Sequence, residues 1–170
     1  MNTIYTIGYE GTDIDRFIAT LKMVGVTMVA DIRAVALSRK KGFSKTALKS
    51  RLEDEGLSYV HFIDLGDPKL GRIAAKAGNY AEFRKIYNAH LSERKSVEAL
   101  ERLEEVARNS VTCLLCFERD YTTCHRSIVA DNLALQGMDV FNLYGDFPRR
   151  YVDFTEKQSR SYISQSAAAA

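Results

Sequence analysis

The sequence has no tryptophan, only two prolines and only three cysteines in 170 residues. So little proline, with ten glycines, excludes collagen-like and low-complexity chains. Cys113, Cys116 and Cys124 are odd in number and do not form a disulfide framework; in a reducing compartment they read as free thiols. No run of apolar residues approaches the ~18 needed for a membrane-spanning helix. An excess of one charge is also missing: 24 Lys and Arg stand against 22 Asp and Glu, a net charge of +2. Composition therefore indicates neither a nucleic-acid nor a membrane partner, and either would need a local patch. Residues 1–5 lack the basic and apolar runs of a signal peptide, so the expected address is cytoplasmic.

What is present is a chain of one-domain size, 46% hydrophobic and 27% charged. Roughly 70% of the unfolded surface is buried at this length, enough for a core without a metal or disulfide staple. We expect a single domain over residues 1–150 and a polar tail over 151–170. One pattern recurs: an amphipathic helix, a glycine, then a short apolar strand. Ile14, Phe17, Ile18, Leu21 and Val24 precede Gly25; Ala47, Leu48 and Leu52 precede Gly56; Ile128, Val129 and Leu133 precede Gly137. Each glycine stands where a helix C-terminus needs positive φ, and Asn109 holds the same place before the fourth strand.

The expected strands cover residues 3–7, 28–32, 59–62, 111–117 and 140–143. They are nearly continuous in apolar residues, as strands buried on both faces are. Alternation with helices predicts a three-layer α/β/α domain with a mostly parallel, doubly wound sheet of about five strands. Thr12 with Asp15 resembles a capping box, and Ser44 is a plausible N-cap for the second helix. Residues 67–71 read as a turn-rich loop. Two helices should follow, one presenting Tyr80, Phe83 and Tyr87, the other Val97, Leu100, Leu103 and Val106.

Ligands bind at the carboxyl ends of the strands in such sheets. Chemically active residues collect there: Gly8, Tyr9 and Glu10 after the first strand, Asp31 and Arg33 at the second, His61 at the third, Cys116 and Glu118 at the fourth. Cys124, His125 and Arg126 follow at a helix start, where a first-turn thiol would have a lowered pKa. The catalytic candidates are Cys124, Glu118, His61, Asp31, Cys116 and His125; the substrate-binding candidates are Gly8, Tyr9, Arg33, Ser38, Arg39, Ser44 and Arg126. Asp31 and Arg33 share a strand face and read equally as an ion pair or as a base with an anion clamp. Cys113 and Cys116 form a C-x-x-C, but on a strand they point to opposite faces and do not pair. A zinc site from Cys116, Cys124 and one of Glu118, His61 or His125 can be drawn, but structural zinc shows paired ligand spacings and only one run of ligands exists here. No metal and no cofactor is assigned. Residues 38–51 carry Arg39, Lys40, Lys41, Lys45, Lys49 and Arg51 without an acid, followed at once by Glu53, Asp54 and Glu55.

The segment Thr6-Ile7-Gly8-Tyr9-Glu10-Gly11, then Asp31-Ile32-Arg33, Ser38-Arg39-Lys40, Gly42-Phe43-Ser44-Lys45, Tyr59, His61, Leu65-Gly66, Leu114-Leu115-Cys116-Phe117-Glu118 and Cys124-His125-Arg126 resembles the domain-of-unknown-function family numbered 488. The motifs keep the family's order across residues 4–144. The resemblance implies a compact α/β domain with these residues at one edge of a parallel sheet, and no established reaction. Ala36 and Lys41 depart from positions where that family often has proline, a change that bears on the rigidity of this loop.

Two functional expectations follow. One is an enzyme acting on an anionic, phosphate-bearing substrate, such as a nucleotide or nucleic acid, at the sheet edge. The other is a non-catalytic nucleic-acid-binding or regulatory module that uses residues 38–51. A small anionic ligand or a nucleic acid is the expected partner, a membrane is not, and the sequence sets no oligomeric state. A third reading, a protein-interaction domain, would keep Asp31, Arg33 and Glu118 as a buried structural network.

Overall fold

The structure, a computed structural model, describes residues 2–153. Five parallel strands form one sheet: β1 (Thr3–Gly8), β2 (Met28–Asp31), β3 (Ser58–His61), β4 (Thr112–Cys116) and β5 (Asp139–Tyr144), in the order β3-β2-β4-β1-β5. Helices α1 (Ile14–Met23) and α2 (Lys45–Asp54) cover one face. Helices α3 (Lys69–Lys76), α4 (Tyr80–Leu91), α5 (Arg94–Asn109) and α6 (His125–Leu135) cover the other. This is the expected three-layer, doubly wound domain. None of these helices is long and apolar enough to cross a membrane.

The alternation of side chains along β1 and β4 divides the core in two. Tyr5, Ile7, Cys113 and Leu115 pack toward α1 and α2, with Phe17, Leu21, Leu48 and Leu52. Ile4 and Leu114 pack toward the opposite face, with Tyr87, Leu103, Val129 and Leu133. Strands buried on both sides explain why the apolar runs are continuous rather than alternating. As expected, Gly25, Gly56 and Gly137 take positive φ at the helix-to-strand turns.

Several local expectations are corrected. Asp13, not Thr12, caps α1 and accepts from the Arg16 N–H, while the Thr12 hydroxyl donates to the Gly145 carbonyl. Asn109 is the last residue of α5 and does not take positive φ; the chain enters β4 through extended Ser110. Residues 69–76 are helical rather than a loop. Pro68 occupies the N-cap of α3, where its missing N–H costs nothing, and Gly71 lies buried within α3 beside Phe83 of α4. The buried stripe of α5 is Ser96, Ala99, Leu103 and Ala107, and Val97 faces solvent. Its small residues seat the helix close to its neighbours.

At the far end, a 3-10 turn over Pro148–Tyr151 returns to the core: Tyr151 is buried and its hydroxyl accepts from the Tyr144 N–H. The packed unit thus runs through Tyr151, and residues 154–170 of the expected polar tail lie outside the described residues.

The tightest point of the fold lies at the carboxyl edge. Gly8 ends β1 opposite Cys116, and the backbone of Glu118 crosses directly over it. A Cβ on residue 8 would overlap the Glu118 carbonyl and come within 2.9 Å of the Arg126 guanidinium. Gly8→Ala should therefore destabilise the protein by about 1–3 kcal/mol or more, the ordinary range for overpacking. Urea unfolding checks this, and an unchanged midpoint would show that the crossing relaxes freely.

Candidate functional site

The sheet edge carries two polar clusters, one on each face of the sheet. The first faces α1 and α2. Asp31 is fully buried at the end of β2 and accepts from four donors. The Arg33 N–H, Nε and NH2 lie 3.1, 2.9 and 2.6 Å from its oxygens, and the Tyr59 hydroxyl lies at 2.5 Å. The remaining guanidinium nitrogen, NH1, donates to the Phe43 carbonyl at 2.7 Å and to the Tyr9 hydroxyl at 3.4 Å. Tyr9 in turn stacks on Phe43 at 4.5 Å. Burial works against the Arg33 charge, but the Asp31 carboxylate more than offsets it and raises the guanidinium above its ordinary pKa. Burial, then the same carboxylate, pushes Tyr59 up.

Of the two readings of Asp31 and Arg33, the structure therefore builds the ion pair. The pair shapes the loop after β2. His61 belongs to this framework: its Nε2 donates to the Arg33 carbonyl at 2.8 Å. Gly8 and Tyr9 lie at the same edge and are buried there.

The second cluster faces α4 and α6. Cys116 ends β4, Glu118 lies one pleat beyond it, and the Cys116 thiol donates to Glu118 Oε2 at 3.1 Å. Cys124 is the N-cap of α6 and His125 its first residue. The His125 Nδ1 lies 3.7 Å from Cys116 Sγ and 3.9 Å from Cys124 Sγ. Its Nε2 lies 2.8 Å from the Ile32 carbonyl. A carbonyl only accepts, so Nε2 carries a proton, and in the neutral ring the Nδ1 lone pair faces the two sulfurs. The Tyr87 ring meets the imidazole edge-on at 5.2 Å, and the Tyr87 hydroxyl donates to the Leu65 carbonyl.

The lowered thiol pKa expected at Cys124 is not found. The residue precedes the first helical turn and is 2% exposed; burial, then the neighbouring Cys116, pushes its thiol well up. Burial also pushes Cys116 up. Glu118 moves the other way. Burial opposes its charge, but hydrogen bonds from Cys116, its own backbone N–H and Cys124 outweigh this and hold it below the ordinary carboxylate value. For His125, burial opposes protonation, while the Cys124 sulfur, Asp67 and the Ile32 carbonyl raise its pKa to about 9. Cys113, as expected, lies on the other face, inside the apolar core.

Arg126 supports this second cluster and is not presented to a substrate. It is fully buried. It donates to the Thr6 hydroxyl, to the Glu118 carbonyl and to the Arg119 carbonyl. Ser38 and Ser44 are likewise engaged: the Ser44 hydroxyl accepts from the Ser38 N–H and donates to the Ser38 carbonyl, closing the loop between them. The cations of this loop that face outward are Arg39 and Lys41, with Lys40 half-buried. Lys40 reaches the Tyr9 carbonyl at 3.3 Å, and the Tyr9 N–H bonds to the Cys116 carbonyl. The basic loop thus leans over the exit of β1, next to the exit of β4.

The sequence reading missed Tyr87 and Asp67 as neighbours of His125. Tyr87 was legible only as one position of an apolar helix face, and its contact depends on how α4 crosses the sheet.

The family profile described as domain of unknown function DUF488 matches residues 13–133. The chain belongs to that family, and the match runs from the start of α1 into α6, including Asp31, Arg33, Cys116, Glu118, Cys124, His125 and Arg126. Neither a curated protein nor a solved structure matches the chain.

Removing one partner of the buried pair leaves the other charge uncompensated, which costs about 3–5 kcal/mol. Arg33→Met should lose that much stability in urea titration, and Asp31→Leu with Arg33→Met together should recover part of it. A loss under 1 kcal/mol in the single variant would show that Asp31 is served by its other donors alone. All three cysteines are nearly inaccessible in the native fold. Iodoacetamide at neutral pH should modify them only slowly until urea unfolds the chain, as peptide mass spectrometry will report.

Proposed function

We propose that this protein is an enzyme that acts on an anionic, phosphate-bearing substrate at the carboxyl edge of its sheet. The observation that carries this reading is the position of Glu118. It is only partly buried, it touches Cys116, and its carboxyl is held below the ordinary value, so it is ionised at neutral pH. Half-buried at the edge beside Cys116, Cys124 and His125, it is the carboxylate placed to accept a proton, and its lowered pKa makes it a weak base.

The anion-binding role passes from Arg33 and Arg126, which are committed to protein acceptors, to Arg39, Lys40 and Lys41 on the adjoining loop. The basic stretch does not support an extended nucleic-acid track. Lys49 pairs with Glu53, and Arg51 pairs with Glu55 and Asp15, so its second half is neutralised. What is left suits a compact anionic group. Three unbridged thiols fit a reducing compartment, which supports a cytoplasmic address.

A thermal-shift panel of nucleotides, sugar phosphates and short oligonucleotides tests the reading. A ligand at a hundred times its Kd adds about 2.7 kcal/mol, or about 5–10 °C at this chain length. The shift should vanish in Lys40→Glu/Lys41→Glu. Turnover of the ligand found should fall by about 10²- to 10⁴-fold in Glu118→Gln. A panel without any shift would overturn the proposal.

A further inference from the structure

We infer that Cys116, Cys124 and His125 form a zinc site, with Glu118 beside its fourth coordination position. The inference deepens the reading of this edge as catalytic and rests on it for the role of the metal, but not for its binding. The three donor atoms, Sγ, Sγ and Nδ1, all lie within 4.8 Å of one another. With Zn–S of about 2.3 Å and Zn–N of about 2.0–2.1 Å, tetrahedral geometry places S and N about 3.6 Å apart. The observed separations from Nδ1 are 3.7 and 3.9 Å. One ion therefore fits between these atoms with little movement of the chain.

Three features of the surroundings point the same way. First, the Ile32 carbonyl accepts a hydrogen bond from Nε2–H and so leaves Nδ1 as the ring atom facing the sulfurs. This is the usual outer partner of a metal-binding histidine. Second, two thiolates with an imidazole are the soft donor set that selects zinc over magnesium or calcium. Third, two of the three ligands sit on regular elements, and Cys124 is tied to the turn before α6 by its N–H to the Tyr121 carbonyl. Cys116 is fixed by the β1–β4 ladder, His125 by α6 and the Tyr87 ring, and the carbonyls after Glu118 by Arg126.

The sequence offered no paired ligand spacing, because one half of the site is a strand end and the other a helix start. Three protein ligands with a position left over is the arrangement of catalytic rather than structural zinc. A zinc ion there would polarise a substrate oxygen or lower the pKa of a bound water, next to the Glu118 carboxylate. Cys113, on the opposite face, takes no part.

The full chain, stripped with a chelator under reductant and desalted, is titrated with Co²⁺ and then Zn²⁺. Sulfur-to-cobalt charge-transfer bands and the strong visible bands of a tetrahedral site should saturate at one equivalent and bleach with zinc. Cys116→Ser and Cys124→Ser should weaken zinc binding by more than the ~100-fold typical of lost outer contacts. Cys113→Ser should not, and Glu118→Gln should keep binding but alter the visible bands.

X-ray absorption on the zinc-loaded wild type gives a second readout that needs no variant to fold: two sulfur neighbours at about 2.3 Å with nitrogen or oxygen at about 2.0–2.1 Å. No saturable cobalt spectrum, or zinc without sulfur neighbours, would overturn the site. Zinc binding with a silent ligand panel would overturn the anionic-substrate reading alone. A panel hit by a chain that takes up no metal would overturn the zinc site alone.

Discussion

Arg126 is a fully buried cation whose donors go to the Thr6 hydroxyl and to the carbonyls of Glu118 and Arg119. Leaving such a group buried and unpaired costs several kcal/mol, so its acceptors are not optional. The chain leaving β4 must turn back across β1 to supply them. That turn sets where Glu118 stands and brings Cys124 and His125 to Cys116. It also requires Gly8, since any side chain there would occupy the path of the Glu118 backbone. The geometry of the thiol cluster is thus set from beneath, by a guanidinium bonded to the backbone that carries it.

The two polar clusters at the edge are different in kind. The Asp31–Arg33 pair is closed: the carboxylate accepts four hydrogen bonds and the guanidinium is spent on Asp31, Phe43 and Tyr9. A pair of this sort contributes less to net stability than its short distances suggest, because desolvating both charges offsets much of their attraction. Its effect is to fix the loop that carries Arg39, Lys40 and Lys41. The thiol cluster is open by comparison. Two sulfurs and a ring nitrogen face one another at more than hydrogen-bonding distance for oxygen and nitrogen, and the adjoining carboxylate reaches the surface.

The strands, their parallel pairing and the polar carboxyl edge were legible in the sequence because burial on both faces leaves continuous apolar runs and glycine marks the turns. Gly25, Gly56 and Gly137 carry that signal without ambiguity. Asn109 did not, because extended Ser110 makes the same turn from α5 without positive φ. α3 escaped notice because Asp67, Pro68 and Gly71 are turn residues by type; in the fold Pro68 takes the N-cap and Gly71 lies buried inside the helix. At the site, Cys116 with Glu118 followed from strand alternation. The separation of Asp31 and Arg33 from the thiols by the sheet itself did not, although the same alternation implies it. The lowered thiol pKa failed for a simple reason: a helix start favours an anion only where solvent or a counter-charge shares the burden, and Cys124 is sealed.

The strand order has a consequence for how the protein comes to exist. β1 is made first, yet its neighbours in the sheet are β4 and β5, more than a hundred residues later. During vectorial synthesis β2 and β3 can pair as soon as they emerge, while β1 has nothing beside it. It must wait for nearly the whole domain and then enter between the last two strands, a pairing of high sequence separation that closes late. Gly8, Cys116 and the crossing above them meet only at that moment. Chains that stall before β4 therefore never display a half-built centre, and they carry none of the three thiols, which lie at positions 113, 116 and 124.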